Sequence, residues 1–217
     1  MASKKKFYAV KVGKVPGVYE TWDECKDCVE GYPGAKYKSF LTEDEALAFI
    51  NGTKENNTTY NGVVAYVDGS FELETFRYSY GVAIIDGDKE IHLSGVGDDP
   101  EMASMRNVAG EIIGSQAAME YALAAGMKEI SIYHDYNGLA AWCIGGWKTN
   151  KEGTKAYKEK YLEVSQTVKI NFVKVKGHSN VFYNDVVDAL AKQALGITNG
   201  IKKDIAAHIE KIKELNK

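Results

Sequence analysis

The order of strand-like and helix-like segments between residues 62 and 197 constrains this chain more than any other feature. Val63–Asp68, Arg77–Ile85 and Glu90–Val96 read as three strands, and a turn as short as "DGDK" joins the second to the third. Connections this short pair strands antiparallel. A helix follows over Asn107–Ala125, with Val108, Ile112, Met119 and Leu123 near one face and Gly126 to end it. "EISIYHD" reads as a fourth strand, and helical segments follow around Gly138–Cys143 and Thr154–Thr167. "KINFVKV" is a fifth strand and Tyr183–Leu195 a closing helix. The order βββαβααβα implies an α/β fold, a mixed five-stranded sheet with helices on its faces.

The polar, Asn-rich stretch "NGTKENNTTYNG" separates this part from what precedes it. Upstream, "FYAVKVG", "GVYET" and "AKYKSF" read as strands. "WDECKDCVEGY" reads as a helix capped by Thr21 with Glu24 three residues on, and "TEDEALAFI" as one capped by Thr42 with Glu45 at its third position. A module of about 45 residues has a thin core and is marginal alone. The expected organisation is a small α+β module at 1–50, a flexible linker at 51–61, the main domain at 62–197 and an amphipathic helix at 198–217. Ile201, Ile205, Ile209 and Ile212 mark the apolar stripe of that last helix, whose plainest role is packing.

Composition excludes several classes. The chain has 217 residues, 45% of them hydrophobic and 26% charged, as in an ordinary globular protein. It has no apolar run long enough for a membrane span. The start, "MASKKKF", lacks the apolar stretch of a signal peptide, so the expected location is cytoplasmic and the expected state monomeric. A net charge of −3 argues against indiscriminate nucleic-acid binding and leaves room for a local basic patch. Cys25 and Cys28 form a Cys-x-x-Cys, but a structural zinc site needs four ligands and Cys143 stands alone, so they read as ordinary thiols.

Four acidic residues adjoin sequence that ought to be buried. Asp68 stands near the end of the first strand, in "VVAYVDGSF"; Glu111 lies one turn into the long helix; Asp135 ends the fourth strand; Asp188 sits beside the apolar face of the closing helix. Alone, a strand-end Asp followed by Gly is usually a turn residue. Together they need partners, because two like charges at about 4 Å repel by roughly 1 to 4 kcal/mol. Hard divalent cations are the natural neutralisers, and Mg²⁺ or Mn²⁺ suits an all-carboxylate site.

The pattern "VDGS…AGE…HD…N-D-x-x-D-x-L-A", with "VKGHS" before its last part, resembles type 1 ribonuclease H. The segment from "FYAVKVGKVPGVYETWDEC" to "FLTEDEALAFI" is similar to the hybrid-binding domain that many members carry. The resemblance implies an endoribonuclease that cuts the RNA strand of RNA–DNA hybrids with two metal ions, leaving 5′-phosphate and 3′-hydroxyl ends. It implies metal ligation by Asp68, Glu111, Asp135 and Asp188, with Asp68 bridging both ions. It gives His178, in "KGHSN", a part in proton transfer or product release. It further implies substrate contacts by Asn107, Asn137 and Asn184, and contacts to the DNA strand by Tyr8, Trp22, Tyr37 and Lys38.

Trp147 with Lys148 is a candidate for the channel that holds the DNA strand, since interleaved aromatic and basic residues suit a groove that follows a nucleic-acid backbone. Trp142 reads as core. The chain departs from the family pattern at "FELETFRYSYG", which is long and lacks proline. Arg106 stands where a small hydroxyl residue is common, Asn137 where Gln is common, and Ser39 where a second Lys is common. Two alternatives are a transposase- or resolvase-type nuclease of the same superfamily and a non-catalytic hybrid-binding protein. The presence of Glu111 and of the N-terminal module opposes the first, and the full set of acids opposes the second.

Overall fold

The computed structural model describes residues 6–41, 43–51, 62–175 and 182–217. In the N-terminal module β1 (Phe7–Val12) pairs antiparallel with β2 (Gly17–Tyr19) on one side and β3 (Lys36–Phe40) on the other. Between β2 and β3 runs α1 (Trp22–Val29), which starts on the expected capping box. The Thr21 hydroxyl accepts the Glu24 N–H at 3.3 Å, and the Glu24 carboxylate accepts the Thr21 N–H at 3.3 Å. α2 (Glu43–Asn51) closes the module. Its expected cap, Thr42, lies outside the described residues, as does the linker from residue 52 to 61.

The main domain runs β4 (Val63–Glu72), β5 (Arg77–Asp86), β6 (Lys89–Gly97), α3 (Pro100–Ala103) and α4 (Asn107–Ala124). It continues with β7 (Glu129–His134), α5 (Gly138–Cys143), α6 (Glu152–Val164), β8 (Lys169–Lys174), α7 (Phe182–Ala194) and α8 (Lys203–Leu215). The short α3 is an addition to the expected order. Asp99 starts it by accepting the Met102 N–H at 2.8 Å, with Pro100 in the first turn.

The five expected strands are contiguous, but they belong to one eight-stranded sheet with the order β3-β1-β2-β8-β7-β4-β5-β6. β2 joins the two parts by a parallel contact, Gly17 opposite Lys174. The Lys174 N–H donates to the Pro16 carbonyl at 3.2 Å, and the Lys174 ammonium lies 5.6 Å from the centre of the Tyr19 ring. Helices cover both faces. α4, α5 and α6 enclose one core around Ile84, Ile112, Ile132, Leu139 and Tyr157. α2, α7 and α8 enclose the other, where Ala46 and Leu47 of the N-terminal module join one cluster with Val187, Leu190 and Ile209. Ile205, Ile209 and Ile212 of α8 are buried, so the C-terminal helix packs onto the body.

One expectation needs correction. β4 does not end near Asp68; it continues to Glu72, with Asp68 opposite Gly81 and Gly69 opposite Tyr80 in the ladder with β5. The Asp-Gly pair therefore marks no turn. Gly69 is required because α4 crosses here: a Cβ on it would overlap the Asn107 carbonyl oxygen and stand 2.6 Å from the Glu111 nitrogen.

Candidate active site

Close backbone contacts bring the acidic side chains together. Gly69 of β4 faces Gly110 of α4, whose own Cβ would meet the Gly69 Cα at 2.7 Å, so the helix rests directly on the strand next to Glu111. On the opposite face a Cβ on Gly81 would overlap the Val187 carbonyl oxygen, which seats α7 against β5 beside Asp188. The parallel pair β4–β7 puts Tyr66 opposite Tyr133, so Asp68 follows two residues later on β4 and Asp135 two residues later, just past the end of β7. There β7 stops, β4 continues with β5 alone, and Glu111 reaches the same point from α4.

Carboxylate oxygens of Asp68, Glu111 and Asp135 lie within 4.8 Å of one another. Glu111 is only 2% exposed. Burial, followed by the charges of Asp135 and Asp68, pushes its carboxyl well above the usual carboxylate range. Burial and then Asp135 push Asp68 up to about 8, although the Gly69 N–H donates to its Oδ1 at 2.7 Å. Asp188 lines the same cavity as Asp68, Asp135 and Asn184 but stands outside the three-carboxylate cluster. Its Oδ2 accepts from the Lys192 ammonium at 2.7 Å, one turn along α7.

Two charged neighbours of the site escaped the sequence reading. Lys192 is one, legible as the i+4 partner of Asp188. The other is Asp185, which lines the cavity and pairs with Lys202 at 2.7 Å. Asn107 is the exposed first residue of α4, and Arg106 before it holds the positive φ of 57°. Asn184 lines the carboxylate cavity. Asn137 is exposed at the start of α5 and caps no helix N–H with its side chain. Trp147 is 46% exposed, and Trp142 is buried. The Trp147 ring packs 6.1 Å from Tyr136 and 6.0 Å from Trp142, with Lys148 exposed next to it. The Tyr136 backbone N–H faces Glu111, so this aromatic cluster adjoins the acids. His178 lies outside the described residues.

In the N-terminal module, Trp22 stands 5.9 Å from Tyr8 and 5.7 Å from Tyr37, a row of rings in which Trp22 and Tyr37 are exposed. Lys38, the expected contact to the DNA strand beside these rings, stands on the same strand as Tyr37. Strand alternation puts it, opposite Ala9, on the other face of β3, where its ammonium lies 5.2 Å from the Phe40 ring. Ser39, opposite Tyr8, shares the aromatic face.

The acidic cluster fits hard divalent cations. Its donors are all carboxylate oxygens, and Glu111 Oε2 is buried without a hydrogen-bond partner among the described residues. Like charges held this closely, in surroundings that resist ionisation, form the kind of site that a cation completes.

Comparison with known proteins agrees with this geometry. The family model described as the Ribonuclease H1 N-terminal domain matches residues 6–50, and the RNase H model matches residues 60–196. Ribonuclease H1 of Homo sapiens is 26% identical, the alignment covering 86% of this chain and 88% of the relative. Ribonuclease H1 of Rattus norvegicus is 24% identical, over 89% of this chain and 90% of the relative. In fold, the crystal structure of RNase H1 from the halophilic archaeon Halobacterium salinarum superposes with a TM-score of 0.51 at 22% identity, covering 63% of this chain and 98% of that one. The RNase H match spans more than half of the chain, over the strands and helices that carry all four acids, and on that ground the chain belongs to the ribonuclease H family.

Proposed function

We infer that this protein is an endoribonuclease that hydrolyses the RNA strand of RNA–DNA hybrids in the presence of Mg²⁺, leaving 5′-phosphate and 3′-hydroxyl ends. The convergence of Asp68, Glu111 and Asp135 within 4.8 Å carries this reading. The family match and the relatives named Ribonuclease H1 support it. Asp68, Glu111, Asp135 and Asp188 would hold the cations, with Mn²⁺ an acceptable substitute for Mg²⁺. Divalent ions held by these carboxylates would supply the charge that makes water a nucleophile near neutral pH and stabilises the leaving oxygen.

The remaining residues orient and neutralise. Lys192 holds the Asp188 carboxylate in place through a 2.7 Å ion pair. Asn107 and Asn184 flank the acids and offer amides to the RNA 2′-hydroxyls, which distinguish RNA from DNA. Trp147 and Lys148 provide a stacking surface and a cation for the DNA strand. Tyr8, Trp22 and Tyr37 give the N-terminal module a sequence-tolerant stacking surface, and His178 serves proton transfer or product release.

The test is incubation of the purified protein with end-labelled RNA–DNA hybrid, single-stranded RNA and double-stranded DNA, with Mg²⁺ or with EDTA. Cleavage of the hybrid RNA alone, dependent on Mg²⁺, is the expected result. Equal cleavage of single-stranded RNA, or hybrid binding without any cleavage, overturns the reading.

A further inference from the structure

A second group of metal-type ligands lies away from the catalytic acids, where α8 meets the edge of the sheet. Glu90 and His92 are two residues apart on β6, the last strand of the sheet, so their side chains project from the same face. His208 comes from α8. Its Nε2 lies 2.7 Å from Glu90 Oε1, and the Nε2 of His92 lies 2.6 Å from that same oxygen. One donor atom from each of the three residues falls within 4.8 Å of the other two.

We propose that Glu90, His92 and His208 bind a single Zn²⁺ ion, or another first-row transition ion of similar preference, which clamps the C-terminal helix to the edge strand. The donor set selects the metal class. Two imidazole nitrogens and one carboxylate oxygen suit Zn²⁺ and poorly suit Mg²⁺ or Ca²⁺. Three protein ligands leave one tetrahedral position for water.

The surroundings are those of a built site rather than a chance surface contact. The His92 side chain is 5% exposed and that of Glu90 11%. His92 has no partner for its buried Nδ1 among the described residues, so its Nε2, aimed at the centre, carries all its polar contact. Tyr183 donates to the second Glu90 oxygen at 3.3 Å, the kind of outer contact that orients a ligating carboxylate. Asn216 donates to the Glu90 backbone carbonyl at 2.9 Å, and the Phe182 ring packs edge-on against His208 at 4.8 Å, which fixes that imidazole.

The experiment uses the full chain, stripped of metal with a chelator and titrated with Zn²⁺ against a chromophoric competitor. Comparison chains are His208→Gln, Glu90→Gln and Asp135→Asn, the last to separate this site from the catalytic acids. One Zn²⁺ per chain should bind tightly to the unmodified protein and to Asp135→Asn. Affinity at that site should fall by about 100-fold or more in His208→Gln and Glu90→Gln. Zn²⁺ should raise Tm in the first pair and have little effect in the second. Undiminished Zn²⁺ binding in both His208→Gln and Glu90→Gln overturns the proposal, as does the absence of tight binding to the unmodified protein. If either substitution prevents folding, imidazole NMR signals of the unmodified protein decide the matter. Zn²⁺ must then shift the signals of two histidines at one equivalent, and unshifted signals overturn the proposal.

Discussion

At the scale of single residues, the site stores electrostatic cost that a cation removes. Asp68 has a folded-state pKa of about 8 against an ordinary 3.8, through burial and Asp135. The folded chain therefore keeps a proton that the unfolded chain has released, and metal-free stability falls as pH rises from about 4 to about 8. Thermal unfolding in EDTA should show Tm dropping by several degrees between pH 5 and pH 8, with Mg²⁺ reducing the drop and Asp68→Asn flattening it. A Tm that climbs over this range would contradict the placement of Asp68. His134 imposes a smaller, opposite slope over the lower part of that range, so the drop should be steepest above about pH 6.5. Burial holds its pKa down to about 4 from 6.5, so its contribution is lost as pH falls through that interval. Replacement of a ligand is a separate matter. Asp135→Asn keeps the shape of the side chain and removes its charge, so cleavage should vanish while hybrid binding stays near normal. Near-normal turnover in Mg²⁺ would remove Asp135 from the catalytic set.

At the scale of elements, the site depends on how closely two helices cross the sheet. Gly81→Ala places a methyl group into the Val187 carbonyl oxygen, and neither backbone can yield without moving α7. The expected cost is about 2 kcal/mol or more, a fall in Tm of roughly 4–8 °C for a chain of this size, with hybrid cleavage reduced as Asp188 shifts. A variant with unchanged Tm and turnover would show that the contact is looser than described. This geometry also explains what the sequence disclosed. Apolar periodicity made β4–β8 and the long helices legible, and the capping box marked the start of α1, because both signals are local. The first strand was ended too early, at Asp68, because a glycine that admits a crossing helix and one that bends a chain look the same until the helix is placed. The β2–β8 junction left no signal, since β2 is three residues long and its partner lies over 150 positions away.

At the scale of the whole molecule, the N-terminal module and the main domain share a sheet through a narrow junction. Among the described residues it includes one ladder pair, Gly17 with Lys174, the 3.2 Å bond from the Lys174 N–H to Pro16, the contact of Lys174 with the Tyr19 ring, and the shared core around Leu47 and Val173. If the Tyr8–Trp22–Tyr37 row holds a hybrid while the acids cut it, the second contact forms at an effective concentration on the order of millimolar. Removing residues 1–50 should then raise apparent KM on long hybrids and reduce the number of cuts per encounter. Single-turnover chemistry at saturation should hardly change, and hybrids too short to reach both parts should show no difference. Gly17→Val tests whether the junction itself contributes, because a Cβ there would stand 2.7 Å from the Lys174 Cβ and force the strands apart without touching the aromatic row or the acids. Its KM on long hybrids should lie between those of the full chain and the truncated form, since a held orientation gives a higher effective concentration than a connecting segment alone. A KM equal to that of the full chain would show that connection suffices. If truncation itself left KM and cuts per encounter unchanged, the N-terminal module would have no part in holding this substrate.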